Sequence, residues 1–154
     1  MPGDTWKEEL RNRFEAFKLI EKAQGDTLES FTQFCEFIAE PAFESLKEEM
    51  KDYGIRVRFL EEKGVAVELE ISFPGSKTDN FHYRIFLPRN AFELKPRLLL
   101  KGRKTKSSPL VEIPGEFMKG RPPAEVIKIT KEDLIRDVLE KYGDFRLSAL
   151  TSPD

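Results

Sequence analysis

Residues 65–73 read VAVELEISF, the longest run of strict apolar/polar alternation in the chain. Side chains two positions apart share one face of a strand, so this run predicts a strand with one face in a core and the other toward water. Similar alternation at residues 55–59 and 81–87 predicts a strand on either side of it. The three runs together indicate an antiparallel meander.

The loops between these runs predict how the strands pair. A three-residue loop, Glu62-Lys63-Gly64 with Gly64 left-handed, keeps apolar residues opposite each other. It gives the pairs Phe59 with Val67, Val57 with Leu69, Ile55 with Ile71, Arg58 with Glu68 and Arg56 with Glu70. The Pro74-Gly75 loop likewise sets Phe73 opposite Phe81, Ile71 opposite Tyr83 and Glu70 opposite Arg84. Glu68 and Glu70 are therefore interpreted as members of a cross-strand ion-pair ladder.

Apolar residues at helical spacing predict helices before the sheet. The first helix covers about residues 5–23 and stops at Gln24-Gly25. Its apolar positions are Trp6, Leu10, Phe14, Phe17 and Ile20. A second helix opens at Asp26 or Thr27, and Glu40-Pro41 marks either a kink or the start of a third helix, which Gly54 caps.

The second half of the chain predicts fewer regular elements. A fourth strand is expected at residues 97–101, a fifth around residues 110–113, and a short strand or extended segment at residues 125–129. Residues 115–123, with two glycines and two prolines, indicate irregular structure. Thr130 and Asp133 resemble a capping box, which opens a last helix that is expected to end at Gly143.

The predicted fold class is α+β. Two or three N-terminal helices and a C-terminal helix lie on one face of an antiparallel meander sheet of four to six strands. At 154 residues the chain is expected to form one domain, residues 1–154. One cysteine, Cys35, and an N-terminal stretch without an apolar core favour a cytoplasmic location, and no apolar run is long enough for a membrane span.

The sequence offers little support for catalysis. The only histidine is His82, and a Ser72/His82/Asp79 triad is conceivable, but no nucleophile-elbow or oxyanion motif accompanies it, so an exposed strand histidine is favoured. One cysteine and one histidine cannot form a Cys/His zinc site, although a carboxylate-only Mg²⁺ site is conceivable. No phosphate-binding glycine motif is present. We predict no catalytic, cofactor-binding or metal-binding residues, and the sequence leans against an enzyme.

The clearest charge asymmetry is a basic segment, residues 95–106, that contains no acidic residue. Its cations are Lys95, Arg97, Lys101, Arg103, Lys104 and Lys106. A basic segment suits nucleic acid or phosphate, yet aromatic residues for base stacking are scarce near it, and a lysine-rich soluble loop is the simpler interpretation.

The aromatic content allows two further interpretations. A pocket between helices and sheet, lined by Phe14, Phe17, Phe31, Phe34, Tyr83 and Phe81, is one alternative, and an ordinary Phe-rich core is the simpler explanation of the same residues. Surplus aromatic residues such as Phe37 and Phe43 also suit a protein interface. The first functional interpretation is therefore a non-enzymatic module that binds a protein partner or forms a homodimer.

Overall fold

The computed structural model describes residues 5–122, 125 and 128–153. Helix α1 covers Thr5–Phe34 and passes through a π-helical turn, Cys35–Ala39, into α2, Glu40–Met50, and a 3₁₀ turn, Lys51–Tyr53. The strands are β1 Val57–Glu62, β2 Ala66–Ile71, β3 Phe81–Phe86, β4 Arg97–Gly102 and β5 Val111–Ile113, and the last helix is α3, Lys131–Thr151. The α+β prediction is confirmed.

The five strands form one antiparallel sheet in the order β1-β2-β3-β4-β5. Helices α2 and α3 cover its inner face, where Phe43 lies edge-on to Tyr83 with ring centroids 6.5 Å apart. Tyr142 of α3 meets Phe81 in the same way at 5.8 Å. The alternating residues Val67, Leu69 and Ile71 are fully buried between these layers, as predicted.

The predicted break at Gln24-Gly25 is wrong, because α1 continues through both residues. A single glycine without a proline lowers helix stability by only about 1 kcal/mol relative to alanine, and the good helix formers Ala23 and Gln24 precede it. Thr27, predicted as a possible N-cap, lies inside the helix and is buried. The N-terminal half is therefore one long helical arm.

The prediction of a kink or a new helix at Glu40-Pro41 is confirmed in the form of a π-helical turn followed by α2. Pro41 has no backbone N–H, and its ring would collide with the carbonyl four residues earlier in a regular helix. The wider turn avoids this collision, with Glu40 N–H donating to the Cys35 carbonyl. Gly54 then ends the segment in the left-handed conformation, φ +71°, as expected.

The capping box at the start of α3 is also confirmed. Thr130 Oγ1 accepts from the Asp133 N–H at 3.1 Å, and Asp133 Oδ2 accepts from the Thr130 N–H at 3.0 Å. The predicted end at Gly143 is wrong, because α3 continues to Thr151. Phe145 explains this extension, since its ring packs 5.7 Å from Phe73 and holds the last turns against the sheet.

Both predicted strand registers are wrong by two residues. Arg58 pairs with Glu70, which pairs on its other side with His82, while Glu68 lies between Leu60 and Arg84. The first loop is Lys63-Gly64-Val65, one residue later than predicted, with Gly64 left-handed as expected. Glu70 therefore lies between Arg58 and His82, and not between Arg56 and Arg84.

Strands β4 and β5 occupy the predicted positions. The predicted extended segment at residues 125–129 falls partly outside the described residues. Among the residues that the structure describes, no helix is both long and apolar enough to cross a lipid bilayer.

Candidate functional site

The first part of α1 is exposed on all its sides. Every residue from Thr5 to Lys22 is exposed, and burial begins only at Thr27. At 1.5 Å per residue, these eighteen residues form an arm about 27 Å long. The arm leaves the body of the domain near Gln24, whose Nε2 donates to the Asn90 carbonyl at 3.2 Å.

One side of this arm is apolar and is called the α1 stripe. Its members, with the exposed fraction of each, are Trp6 60%, Leu10 47%, Phe14 55%, Phe17 53% and Ile20 44%. These positions recur at intervals of three or four residues, so they share one face of the helix. The same face continues into Phe31 and Cys35, which are buried in the core. The α1 stripe is therefore the continuation of a core-packing face beyond the edge of the domain.

The sequence predicted that these residues would pack on the sheet, and this is wrong for the α1 stripe. Helical periodicity identifies which face of a helix is apolar, and it does not identify what covers that face. The unbroken helix through Gly25 directs the arm away from the sheet, whereas a turn at Gly25 would have folded it back.

Two charged residues border the α1 stripe, Arg13 on one side and Glu21 on the other. Arg13 already pairs with Glu9, one turn earlier, at 2.8 Å. The opposite face of the helix carries Leu19, which is 70% exposed. Leu19 is therefore an exposed apolar residue of the same arm that lies outside the stripe, and it can serve as a control position.

A second cluster of polar side chains lies on the outer face of the sheet. His82 Nε2 lies 2.6 Å from Asp79 Oδ2, and His82 Nδ1 lies 3.4 Å from Glu68 Oε1. Arg58 donates to Glu70 Oε2 at 2.7 Å. Arg103 Nη2 donates to both carboxylate oxygens of Asp79 at 3.0 Å. The cluster joins strands β1, β2 and β3 to the loop before β3.

The ionisable groups in this cluster shift one another's pKa values. Burial lowers the pKa of His82, but hydrogen bonds to Glu68 and Asp79 outweigh it and leave this pKa raised above its ordinary value. The hydrogen bond with His82 is the main cause of the lowered pKa of Glu68. Burial raises the pKa of Asp79, yet hydrogen bonds from His82, its own backbone and Arg103 lower it overall. Glu68 and Asp79 are therefore ionised at neutral pH.

The structure corrects two expectations about His82. The side chain is not an exposed strand histidine, since the residue is only 8% exposed. The reason is that Asp79 and the loop before β3 lie over one of its ring nitrogens. The conceivable triad does not form either, because Ser72 Oγ accepts from the Arg56 N–H and donates to the Phe73 carbonyl.

The six cations of the basic segment do not form one patch. Lys95 and Arg97 lie at the start of β4, and Arg103, Lys104 and Lys106 follow its end, roughly 17 Å away for a six-residue strand. Lys95 pairs with Glu93 at 2.7 Å, Arg103 pairs with Asp79, and Lys104 donates to Ser152 Oγ at 2.7 Å. Lys101 lies one residue before the end of the strand, opposite His82.

The residues of the predicted apolar pocket are also divided. Phe31, Phe34, Phe81 and Tyr83 are buried in the core, whereas Phe14 and Phe17 lie on the exposed arm. An open cleft of about 510 Å³ lies at the base of α1, lined by Leu28, Val65 and residues 87–91. None of the six predicted lining residues borders that cleft.

Three residues singled out from the sequence fall in different environments. Phe37 is 65% exposed, while Phe43 is fully buried against Tyr83 and Phe59. Burial, reinforced by the negative charges of Glu61 and Glu40, raises the pKa of the Cys35 thiol to about 12. Cys35 is accordingly a protonated core thiol.

Comparison with protein-family models, with curated proteins and with solved structures gave no match for this chain. The functional argument therefore depends on the geometry of the α1 stripe and of the outer-face cluster.

Proposed function

We propose that this protein is a non-enzymatic interaction module that forms a homodimer through the α1 stripe. The single observation that carries the proposal is the arm itself, a regular helix whose five stripe residues are 44–60% exposed. Most helical stability in proteins comes from packing of an amphipathic face, and a large exposed apolar patch marks an interaction surface. A partner surface would stabilise both the helix and its exposed aromatic residues.

The size of the stripe fits an interface between two copies. Covering the exposed parts of the five side chains would remove roughly 500 Å² of surface per copy, or about 1,000 Å² in a dimer. That is the lower limit of specific protein interfaces, and the flanking residues of the arm add to it. A stable association is therefore within reach of this helix alone.

The residue order of the arm favours an antiparallel pair with its two-fold axis at Phe17. In an isologous interface each contact occurs twice, with position i meeting position j and j meeting i. Residues equally distant from Phe17 then lie level with each other in the two copies. These levels are Phe14 with Ile20, Trp6 with Leu28 and Arg13 with Glu21. Phe17 then meets its own copy, the apolar pairs lie level along the seam, Leu10 lies level with Gln24, and Arg13 and Glu21 lie on opposite edges of the seam.

Sedimentation velocity of matched variants tests the proposal. Phe17→Glu places two carboxylates at the two-fold axis and is expected to weaken association by at least roughly 30-fold, as for a central aromatic residue. Leu19→Glu makes a similar change on the opposite face and is expected to leave association unaltered. Both sites are exposed in the monomer, so neither variant disturbs the core.

Two results would overturn the proposed dimer. A wild-type protein that stays monomeric at about 100 µM would overturn the proposal and leave the arm for a different partner. Equal effects of Phe17→Glu and Leu19→Glu would also overturn it.

A further inference from the structure

Three side chains on the outer sheet face bring potential metal ligands together. One ligand atom from each of Glu68, Glu70 and His82 lies within 4.8 Å of the other two. The arrangement follows from the strands, because Glu68 and Glu70 are two residues apart on β2 and share a face, while Glu70 pairs directly with His82 on β3. All three side chains are therefore held by regular backbone.

The surroundings of His82 orient its ring as in a metal site. When Nε2 carries the proton, it donates to Asp79 Oδ2 at 2.6 Å, and the lone pair of Nδ1 faces Glu68. Metal-binding histidines characteristically donate their other ring N–H to a carboxylate or carbonyl, which fixes tautomer and orientation. Asp79 is itself fixed by Arg103, whose Nε also donates to the Asp79 carbonyl at 3.1 Å.

The remaining contacts leave the ligand atoms within reach of an ion. Arg58 bonds to Oε2 of Glu70, so Oε1 can bind a metal without breaking that bond. The Arg58 side chain is 70% exposed and can also turn into solvent. Asp79 is occupied by His82 and Arg103 and is a positioning residue here, not a ligand.

We infer that Glu68, Glu70 and His82 form a binding site for one divalent transition-metal ion of the Zn²⁺ or Mn²⁺ type. One imidazole nitrogen and two carboxylates suit such ions better than Mg²⁺ or Ca²⁺, which prefer oxygen ligands alone. Three protein ligands leave further coordination positions for water. The site is independent of the α1 stripe, which lies on a different part of the molecule.

The sequence missed this ligand set because it treated carboxylates and histidine separately. The predicted register set Glu70 opposite Arg84, and only the observed register sets it opposite His82. Asp79 lies in a loop, where strand periodicity gives no position for its side chain.

The chain's single histidine makes the experiment specific. The wild-type protein is titrated with ZnCl₂ by calorimetry, and the imidazole nitrogens of His82 are followed by ¹⁵N NMR. We expect one equivalent of Zn²⁺ to bind. The ¹⁵N resonance of Nδ1 is expected to shift strongly, while Nε2 keeps its proton. Mn²⁺ is expected to compete for the site, and Mg²⁺ is expected to bind far more weakly.

Matched variants separate ligands from the positioning residue. Asp79→Asn is expected to lower Zn²⁺ affinity by roughly 10- to 100-fold, and Glu68→Gln and His82→Gln by more than that. Glu112→Gln, an exposed residue of the same sheet, is the control and is expected to change nothing. Thermal unfolding of each variant checks its fold, and the NMR titration of the wild type needs no variant.

Three results would overturn the inference. These are Zn²⁺ binding weaker than about 1 mM, an affinity that Glu68→Gln leaves unchanged, or binding without a shift at His82 Nδ1.

Discussion

Phe14 and Phe17 lie edge to face on α1 with ring centroids 5.7 Å apart, and both rings are more than half exposed. An aromatic pair of this geometry is usual in protein cores and interfaces. Here it lies on a helical arm beyond the edge of the sheet. These two rings lie at the centre of the α1 stripe, the exposed apolar face on which the proposed dimer rests.

The continuity of α1 predicts the effect of replacing Gly25. Apart from its chain neighbours and the nearby backbone of its own helix, no described heavy atom lies within 4 Å of a Cβ placed there, and the residue is inside a helix. Gly25→Ala is therefore expected to raise the free energy of unfolding by about 0.4–1 kcal/mol, measured by urea denaturation. The control is Gly54→Ala, whose φ of +71° predicts a loss of about 1–2 kcal/mol. A loss of stability in Gly25→Ala would contradict the unbroken helix.

A buried hydrogen bond ties the sheet to α3. Tyr83 Oη donates to Asp137 Oδ2 at 2.5 Å, and Lys141 Nζ donates to Asp137 Oδ1 at 2.6 Å. Tyr83→Phe removes one donor from a buried carboxylate and is expected to lower the free energy of unfolding by about 1–3 kcal/mol. Tyr53→Phe, at a residue that is 71% exposed, is the control and should have little effect. Equal stability of both variants would show that the buried bond contributes nothing.

Gly102 is required by close packing and not by its backbone conformation. A Cβ at this position would overlap the Phe145 ring and lie 2.8 Å from Ile113 Cδ1. Because Phe145 packs against both Phe73 and Phe81, its ring has little room to move. Gly102→Ala is expected to lower the free energy of unfolding by about 1–3 kcal/mol. Gly143→Ala, inside α3 with no atom within 4 Å, should raise it instead, and a neutral Gly102→Ala would argue against this packing.

Glu40 predicts a pH-dependent stability. Its hydrogen bond with Glu61, followed by burial and the charges of Glu61 and Glu36, raises the pKa of Glu40 from 4.5 to about 7. Between these two values the folded chain keeps a proton that the unfolded chain loses, so stability falls as pH rises. Glutamine has no carboxyl group to ionise, so Glu40→Gln is expected to remove this fall in stability at higher pH.

Urea denaturation at about pH 4 and about pH 8 measures the effect. Glu40→Gln is expected to gain stability over the wild type at the higher pH and to differ little at the lower one. Glu44→Gln, an exposed residue of the same helix, is the control. An identical pH profile for Glu40→Gln and the wild type would contradict the raised pKa.

Alternation and capping allowed much of this fold to be predicted from the sequence. Val67, Leu69 and Ile71 were assigned to the inner face correctly although the register was wrong, because a shift of two residues keeps every side chain on its own face. The same shift changed the neighbours of Glu70, so the outer-face cluster was not foreseen. The alternation within a strand predicts which side chains share a face, whereas the geometry of the loop determines which residues pair across neighbouring strands.

The helix ends were less predictable. Gly25 and Gly143 both resemble stop signals, yet each lies inside a helix, because neighbouring residues and packing outweigh about 1 kcal/mol of glycine propensity. The position of Phe14 and Phe17 outside the core depends on that continuity. No local pattern in the sequence distinguishes an apolar helix face that meets its own sheet from one that meets another chain.

Distances between two spin labels test the antiparallel α1 pairing most directly. Labels attached through Lys18→Cys or Arg11→Cys lie on similar sides of the helix, and buried Cys35 does not compete for the label. In a pair centred on Phe17, the two copies of position 18 lie about 3 Å apart along the helix axes. The two copies of position 11 lie about 18 Å apart along the same axes. Pulsed electron resonance should therefore give a clearly longer distance for position 11 than for position 18. Equal distances at the two positions, or no interaction between labels, would contradict the proposed dimer.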